Sequence, residues 1–407
     1  MDLFNIFSVL ITLAALFAYL NHRFIKLPDT IGLMFITLIM SLGLLILGKL
    51  GIGTDNQFPA LIARIDFNRT LMVGMLGFML FAGALHVNIN ELSEKKLEVG
   101  IFATFGVIIS TISIGTLTYL VVGVLGINLK YIYCLLFGSI ISPTDPIAVL
   151  GILKKAGAPK TLEIKIAGES LFNDGIGVVV FIALLGIATG EHNMTYGEVS
   201  LFFLKEAIGG AVFGIMAGWA VYLLLKSVDN YQVEILLTLA LVTGGYALAL
   251  AMHISGPITI VVAGLLIGNH GRRFAMSEKT RENIDKFWEL LDEILNAVLF
   301  VLIGLELLMV TFSTSYLLAG IIAIPVALFS RFTSIGIPVC LLRFRKRFSP
   351  GVLRVMTWGG LRGGISIALA LSLPKGYERE IILTMTYMVV VFSILVQGLT
   401  VKYLIKA

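Results

Sequence analysis

Ser142-Pro143-Thr144-Asp145-Pro146 interrupts an apolar run over residues 131–153 that otherwise reads as a good membrane helix. Two prolines three positions apart remove two backbone donors and crowd the carbonyls of the preceding turn, so a helix through this stretch must unwind near its centre. A second run, over residues 352–373, carries Gly359-Gly360-Leu361-Arg362-Gly363-Gly364 at a similar depth. Four glycines around one arginine let that backbone depart from the helix. Proline kinks and glycine packing are each common in membrane helices. It is the matched position of the two breaks that is informative.

The rest of the chain sets both breaks in a membrane frame. Of 407 residues, 58% are hydrophobic and only 14% charged, whereas soluble domains are about one quarter charged. A helix needs roughly 20 apolar residues to cross the hydrocarbon core. Reading between charged or Gly/Pro/Asn-rich breaks gives runs at 4–21, 28–48, 69–87, 97–125, 131–153, 162–189, 200–226, 231–253, 255–269, 287–310, 315–343, 352–373 and 379–404. The expected fold class is therefore an all-α polytopic membrane protein with about thirteen spans, unwound in spans 5 and 12. Residues 55–67 read as an interfacial helix, and 277–286 as a charged amphipathic helix on the opposite side.

The basic residues orient this frame, because Lys and Arg accumulate on the cytoplasmic side. With alternating connections, Lys49, Arg64, Arg69, Lys130, Lys375 and Arg379 fall on one side, and nearly all the others fall on the opposite one. The N-terminus is expected outside and the C-terminus in the cytoplasm of a cell-membrane protein, with no soluble regulatory domain. The first run lacks a basic n-region and a small-residue cleavage site, so it is expected to stay as a helix. The formal charge of +5 sits in short clusters between apolar runs, which suits membrane orientation and points away from nucleic acid. Cys134 and Cys340 lie in apolar runs with no metal-ligand spacing to a histidine, so neither a disulfide nor a cofactor is expected.

With span 7 as a linker, spans 1–6 and 8–13 form two six-helix halves of opposite topology. Each break is then the fifth element of its half. This is the pattern of an inverted-repeat transporter, whose ion site lies between unwound helices near the bilayer midplane.

Span 6 supplies the chemistry. In Gly168-Glu169-Ser170-Leu171-Phe172-Asn173-Asp174-Gly175, the residues Glu169, Ser170, Asn173 and Asp174 share one helical face. Two carboxylates in one apolar span are costly and are expected to be functional, paired or both. Asp174 is the leading ion ligand: desolvation disfavours the charged form of a carboxylate, so such an oxygen pair can take either a proton or a hard cation. Asp145 offers a second charge or holds a bridging water. The freed carbonyl of Thr144 and the hydroxyl of Ser170 suit a hard cation, so Asp174, Ser170 and Thr144 are the expected Na+ ligands. Asn173 either braces the broken helix or makes a plain helix-to-helix hydrogen bond.

Lys205, Arg331 and Arg362 lie inside spans and need a counter-charge or a cavity. Lys205 and Glu206 read as peripheral, with the lysine snorkelling. Glu169 is expected to pair with Arg331, or alternatively with Arg362, which otherwise offsets helix-dipole ends or repels a second cation. Glu289, Asp292 and Glu293 form either a cation-concentrating funnel at the mouth of span 10 or a helix-start cluster favoured by the dipole.

Taken together in order and spacing, the 142–146, 169–174 and 360–364 motifs, with Ser255-Gly256-Pro257-Ile258, Gly264 to Asn269, and Phe287-Trp288 through Asn296 to Ile303-Gly304, resemble the NhaP-type sodium/proton antiporters of the cation:proton antiporter 1 family. The resemblance covers essentially the whole chain. It implies a thirteen-helix NhaA-like fold and a homodimer, with residues 1–96 and 200–310 mainly in a dimerisation scaffold. Residues 97–199 and 311–407 would be mainly an ion-transporting core that moves like an elevator. It also implies electroneutral exchange of one cation for one proton, the Asn173-Asp174 pair standing where two aspartates would suggest otherwise. Relatives often carry an acid in span 3 in a Phe-Glu-Gly-like context, and Phe81-Ala82-Gly83 departs from this. The expected substrate is Na+, with Li+ also accepted, and K+/H+ exchange is the alternative. A membrane enzyme acting through Asp145 and Asp174 lacks paired catalytic motifs, and a channel lacks a repeated filter loop.

Overall fold

A computed structural model describes residues 3–49, 67, 70–94, 96–145, 149–151, 153, 160–190, 196–309, 313–342 and 351–406. The first helix, α1 (Leu3–Leu20), widens into a π-helical turn at Asn21–Ile25. There Asn21 donates to the Leu27 carbonyl at 2.9 Å and accepts from the Leu27 amide at 3.2 Å, which tethers the turn to the start of α2 (Asp29–Lys49). A π-helical turn at Thr70–Met75 leads into α3 (Leu76–Leu85), and the short α4 (Ile89–Glu94) precedes α5 (Lys96–Val124). Then come α6 (Tyr131–Ile141), α7 (Lys160–Thr189), α8 (Tyr196–Lys226), α9 (Tyr231–Ala251) and α10 (Gly256–Leu266). The last third comprises α11 (Glu278–Leu305), α12 (Thr314–Leu342), α13 (Val352–Trp358), α14 (Gly364–Leu371), α15 (Tyr377–Phe392) and α16 (Gly398–Lys406).

Among the described residues, eight helical stretches are long and apolar enough to cross a membrane. Their outward faces are apolar too. Leu204, Ile208, Val212, Ile215 and Trp219 make an exposed stripe on α8, which would be a liability in water and is at home in lipid. This is a multi-pass membrane protein. Both interrupted runs break where the sequence predicts, into α6 followed by non-helical backbone, and into α13 and α14 separated by residues 359–363.

The interior packs in contiguous groups. One joins α3, α8, α9, α10 and α11 through Phe81, Tyr222, Val242, Ile260 and Trp288. Another joins α6, α12, α14 and α15 through Phe137, Ile140, Ala323, Leu369 and Ile382. A third runs from α1 and α2 across α11 to α14 and α15, through Met34, Phe300, Ile367 and Val390. The two broken runs thus sit inside protein and not against lipid, which is where irregular backbone at membrane depth is tolerated.

Two expectations change. The amphipathic segment 277–286 is not separate from span 10: α11 is continuous from Glu278, with the Ser277 side chain accepting from the Thr280 amide at its start. Thr280, Ile284 and Trp288, four apart, are all buried, so one inward stripe carries through the supposed boundary and nothing breaks the helix. Lys165, counted with the loop charges, lies in α7, buried and 2.6 Å from buried Glu98 of α5. The proposed interfacial helix at 55–67 lies outside the described residues except for Phe67.

Candidate ion-binding site at the crossing of two broken helices

α6 stops for a visible reason. Pro143 has no N–H for the Ser139 carbonyl, and the Ser142 hydroxyl donates to that carbonyl instead, at 3.2 Å. The backbone then leaves the helix and bends toward Asp145, whose N–H donates to Leu361 O at 2.8 Å in an isolated antiparallel bridge. Leu361 lies in the other break, so the two unwound segments cross and pair. The crossing leaves no room for side chains at two glycines: a Cβ on Gly363 would overlap the Asp145 carboxylate, and one on Gly360 would meet the Arg331 guanidinium. Gly359 and Gly364 flank the same segment, and Pro146 lies outside the described residues.

Unwinding exposes carbonyls that a helix would have used, and Arg362 takes them. Its Nη1 donates to Ser142 O at 2.7 Å and to Pro143 O at 2.8 Å, while its own N–H donates to the Ser393 hydroxyl at 2.9 Å. A buried guanidinium thus meets the negative end of α6, as the helix dipole favours.

The polar face of α7 lies against the crossing. Asn173 Oδ1 accepts from Thr144 N–H at 3.2 Å, and its Nδ2 donates to Thr144 Oγ1 at 2.8 Å. The Ser170 and Thr144 hydroxyls are 3.1 Å apart. Glu169 is paired with Arg331 of α12 through two bonds, and Arg331 Nε reaches Met356 O at 3.3 Å. Thr144, Glu169, Ser170, Asn173, Asp174, Arg331 and Arg362 are all buried.

A cavity of about 120 Å³ opens beside this network, lined by Asp145, Asp174, Asp292, Ser366, Gly363 and Gly364 and by apolar side chains of α3, α7 and α11. That is room for several waters or a partly hydrated cation. Its polar groups are carboxylates and a hydroxyl, the hard oxygen donors that alkali cations and protons prefer.

The sequence model of the family described as "Sodium/hydrogen exchanger, transmembrane" matches residues 11–407. The chain belongs to the sodium/hydrogen exchanger family. It is 51% identical over 407 residues to the "Na(+)/H(+) antiporter NhaP" of Pseudomonas aeruginosa, covering 99% of this chain and 96% of that protein. It is 34% identical to the "Na(+)/H(+) antiporter NhaH" of Halobacillus dabanensis, covering 94% and 93%. The solved sodium proton antiporter MjNhaP1 of Methanocaldococcus jannaschii superposes with a TM-score of 0.78 at 20% identity, covering 100% of this chain and 99% of that one, so the two share a fold.

In this exchanger-family chain, span 3 reaches the cavity through Leu76, Met79, Leu80 and Gly83. Ala82 itself is buried beside Phe81, Leu85 and Trp288. Lys205 is exposed and stands apart from the site, and Glu206 beside it is buried. Sequence reasoning grouped Asp292 with Glu289 and Glu293. The structure divides them, with Glu289 and Glu293 exposed and Asp292 turned to the cavity. Ser366 was not singled out at all; it stands two residues into α14, and only its position after the glycine break hinted at the site.

Outside the membrane segments, the Lys160 ammonium at the start of α7 donates to Glu91 of α4 at 2.6 Å, and this hydrogen bond and the Glu91 charge raise its pKa. Burial, with the charge of Arg281, lowers that of Arg272, which is paired with Asp285.

Proposed function

We propose that this protein is a secondary antiporter exchanging Na+, and also Li+, for H+ across the cell membrane, with cation and proton competing for Asp174. The observation that carries this reading is the crossing itself: in a chain of this family, Asp145 and Asp174 line one cavity beside the bonded hydroxyls of Thr144 and Ser170. Asp174, Ser170 and Thr144 hold the dehydrated cation, with Asp145 close by to add charge or order a water. Asn173, Arg362 and the Glu169–Arg331 pair keep the unwound backbone in shape while the site is alternately loaded and emptied.

Competition makes the cycle obligatory. A cation-loaded Asp174 has released its proton and a protonated one has released its cation, and because the empty, charged carboxylate does not cross, neither ion crosses without the other travelling back. The names carried by the relatives support sodium. We further infer electroneutral exchange in a homodimer of thirteen-span subunits, N-terminus outside and C-terminus cytoplasmic. The scaffold is 1–96 with 200–310, and the moving core is 97–199 with 311–407. Such a protein serves sodium and pH homeostasis. K+/H+ exchange is the second reading, favoured by one observation: the α3 wall of the cavity carries no carboxylate.

The test is sodium-driven and potassium-driven proton movement in proteoliposomes, with wild type beside Asp174→Ala and Asp174→Asn. Sodium-dependent proton movement lost in both variants is the expected result. Exchange surviving in both moves the site elsewhere, and a wild type that answers only to potassium replaces the first reading with the second.

A further inference from the structure

Asp145 and Asp174 both approach the cavity from the broken-helix side. The facing wall is built by α3 and α11. From α3 come Leu76, Met79, Leu80 and Gly83, and from α11 come Leu299 and Asp292. Among the described residues, Asp292 is therefore the one carboxylate this wall presents. Its Oδ1 is buried with no hydrogen-bond donor among the described residues. One turn on, Asn296, 3% exposed, donates through Nδ2 to Asp292 O at 2.8 Å, and its Oδ1 is likewise buried without a donor. An apolar core would not keep two such oxygens unsatisfied, since each costs its full desolvation. Asp292 lines the cavity, so a cation held there would face its carboxylate, with Asn296 behind it and outside the lining. Arg362 Nη1 is taken by the Ser142 and Pro143 carbonyls.

We propose that Asp292, supported by Asn296, is a further cation-facing residue of the cavity, meeting the ion from the scaffold side and setting affinity and the choice among alkali cations, while Asp174 exchanges the proton. The inference rests on the antiport reading above. The carboxylate contributes charge to the occupied cavity, and its distance from the Asp174 side sets the size of ion that both walls can reach. Removing the charge weakens cation loading without removing the exchanging group. Lengthening the side chain to Glu restores the charge but narrows the cavity, which changes the preference between Li+ and Na+.

The experiment is proton exchange in proteoliposomes over Na+ and Li+ concentration series at one fixed pH, comparing wild type, Asp292→Asn, Asp292→Glu, Asn296→Ala and Asp174→Asn. Expected is a rise of about tenfold in half-saturating Na+ for Asp292→Asn, with the maximal rate largely kept. Asp292→Glu should recover most of the affinity with a changed Li+ to Na+ ratio, and Asp174→Asn should be inactive. A role in packing alone would leave the cation ratio of folded variants untouched. If Asp292→Asn fails to fold, the cation ratio of Asp292→Glu decides. Unchanged half-saturation and ratio in the folded Asp292 variants overturn the proposal while leaving antiport standing. A wild type without cation-driven proton movement overturns both.

Discussion

Arg331 holds both oxygens of Glu169, Nη1 to Oε1 at 2.5 Å and Nη2 to Oε2 at 3.0 Å, with both side chains almost fully buried. The pair joins α7, which carries Asp174, to α12. Arg331 also reaches Met356 O in α13, just before the second break. One ion pair therefore ties three elements around the crossing. Its value lies less in net stability than in the cost of losing either partner alone, which strands a buried charge.

Glu169→Gln is accordingly predicted to destabilise the protein by about 3–5 kcal/mol, and Arg331→Gln by at least as much, because it also frees Met356 O. The double variant should be less destabilised than the sum of the singles. Unfolding of the purified variants in detergent measures all three. Additive losses would show that the two residues do not act as a pair.

Asn173→Ala removes an acceptor from Thr144 N–H and a donor to Thr144 Oγ1, both buried. A cost of about 1–3 kcal/mol in stability is expected, together with reduced exchange, because Thr144 loses both bonds that hold the broken segment against α7. Asn173→Ser, which can restore one of the two bonds, should recover part of the loss. Stability and proteoliposome exchange measured on the same preparations check this.

Gly363→Ala places a methyl group where the Asp145 carboxylate sits. The variant should insert and fold, because the break is already unwound, yet lose most exchange as Asp145 is displaced. Wild-type rates in Gly363→Ala would show that the position of Asp145 is immaterial.

Competition fixes the sign of the pH dependence. With Asp174 as the proposed shared site, acid would fill it with protons and remove the cation site, so half-saturating Na+ should rise as pH falls, by up to about tenfold per pH unit on the acid side, and level off in alkali. Exchange rates over a grid of pH and Na+ measure this. A half-saturation constant independent of pH would exclude a shared site.

The parts of this architecture legible in sequence are those written in local chemistry. Apolar runs mark membrane helices because the bilayer allows little else. Pro143 and the glycines at 359, 360, 363 and 364 mark breaks because each acts on its own backbone. The polar face of α7 follows from helical geometry alone. Less legible was whatever depends on which elements meet. Arg362 binds the carbonyls of Ser142 and Pro143, some 220 residues away, and no periodicity encodes such a partnership. Asp292 looked like its neighbours Glu289 and Glu293 until the packing of α11 fixed which way each one points. Lys165 read as a loop charge because its partner, Glu98, stands on another helix.

The central claim, that one carboxylate serves both ions, is tested most directly by proton release from purified protein in weakly buffered solution as Na+ is added. The account predicts about one proton released per Na+ bound by wild type, and neither binding nor release in Asp174→Asn. Sodium binding without proton release, or undiminished release in Asp174→Asn, would contradict it.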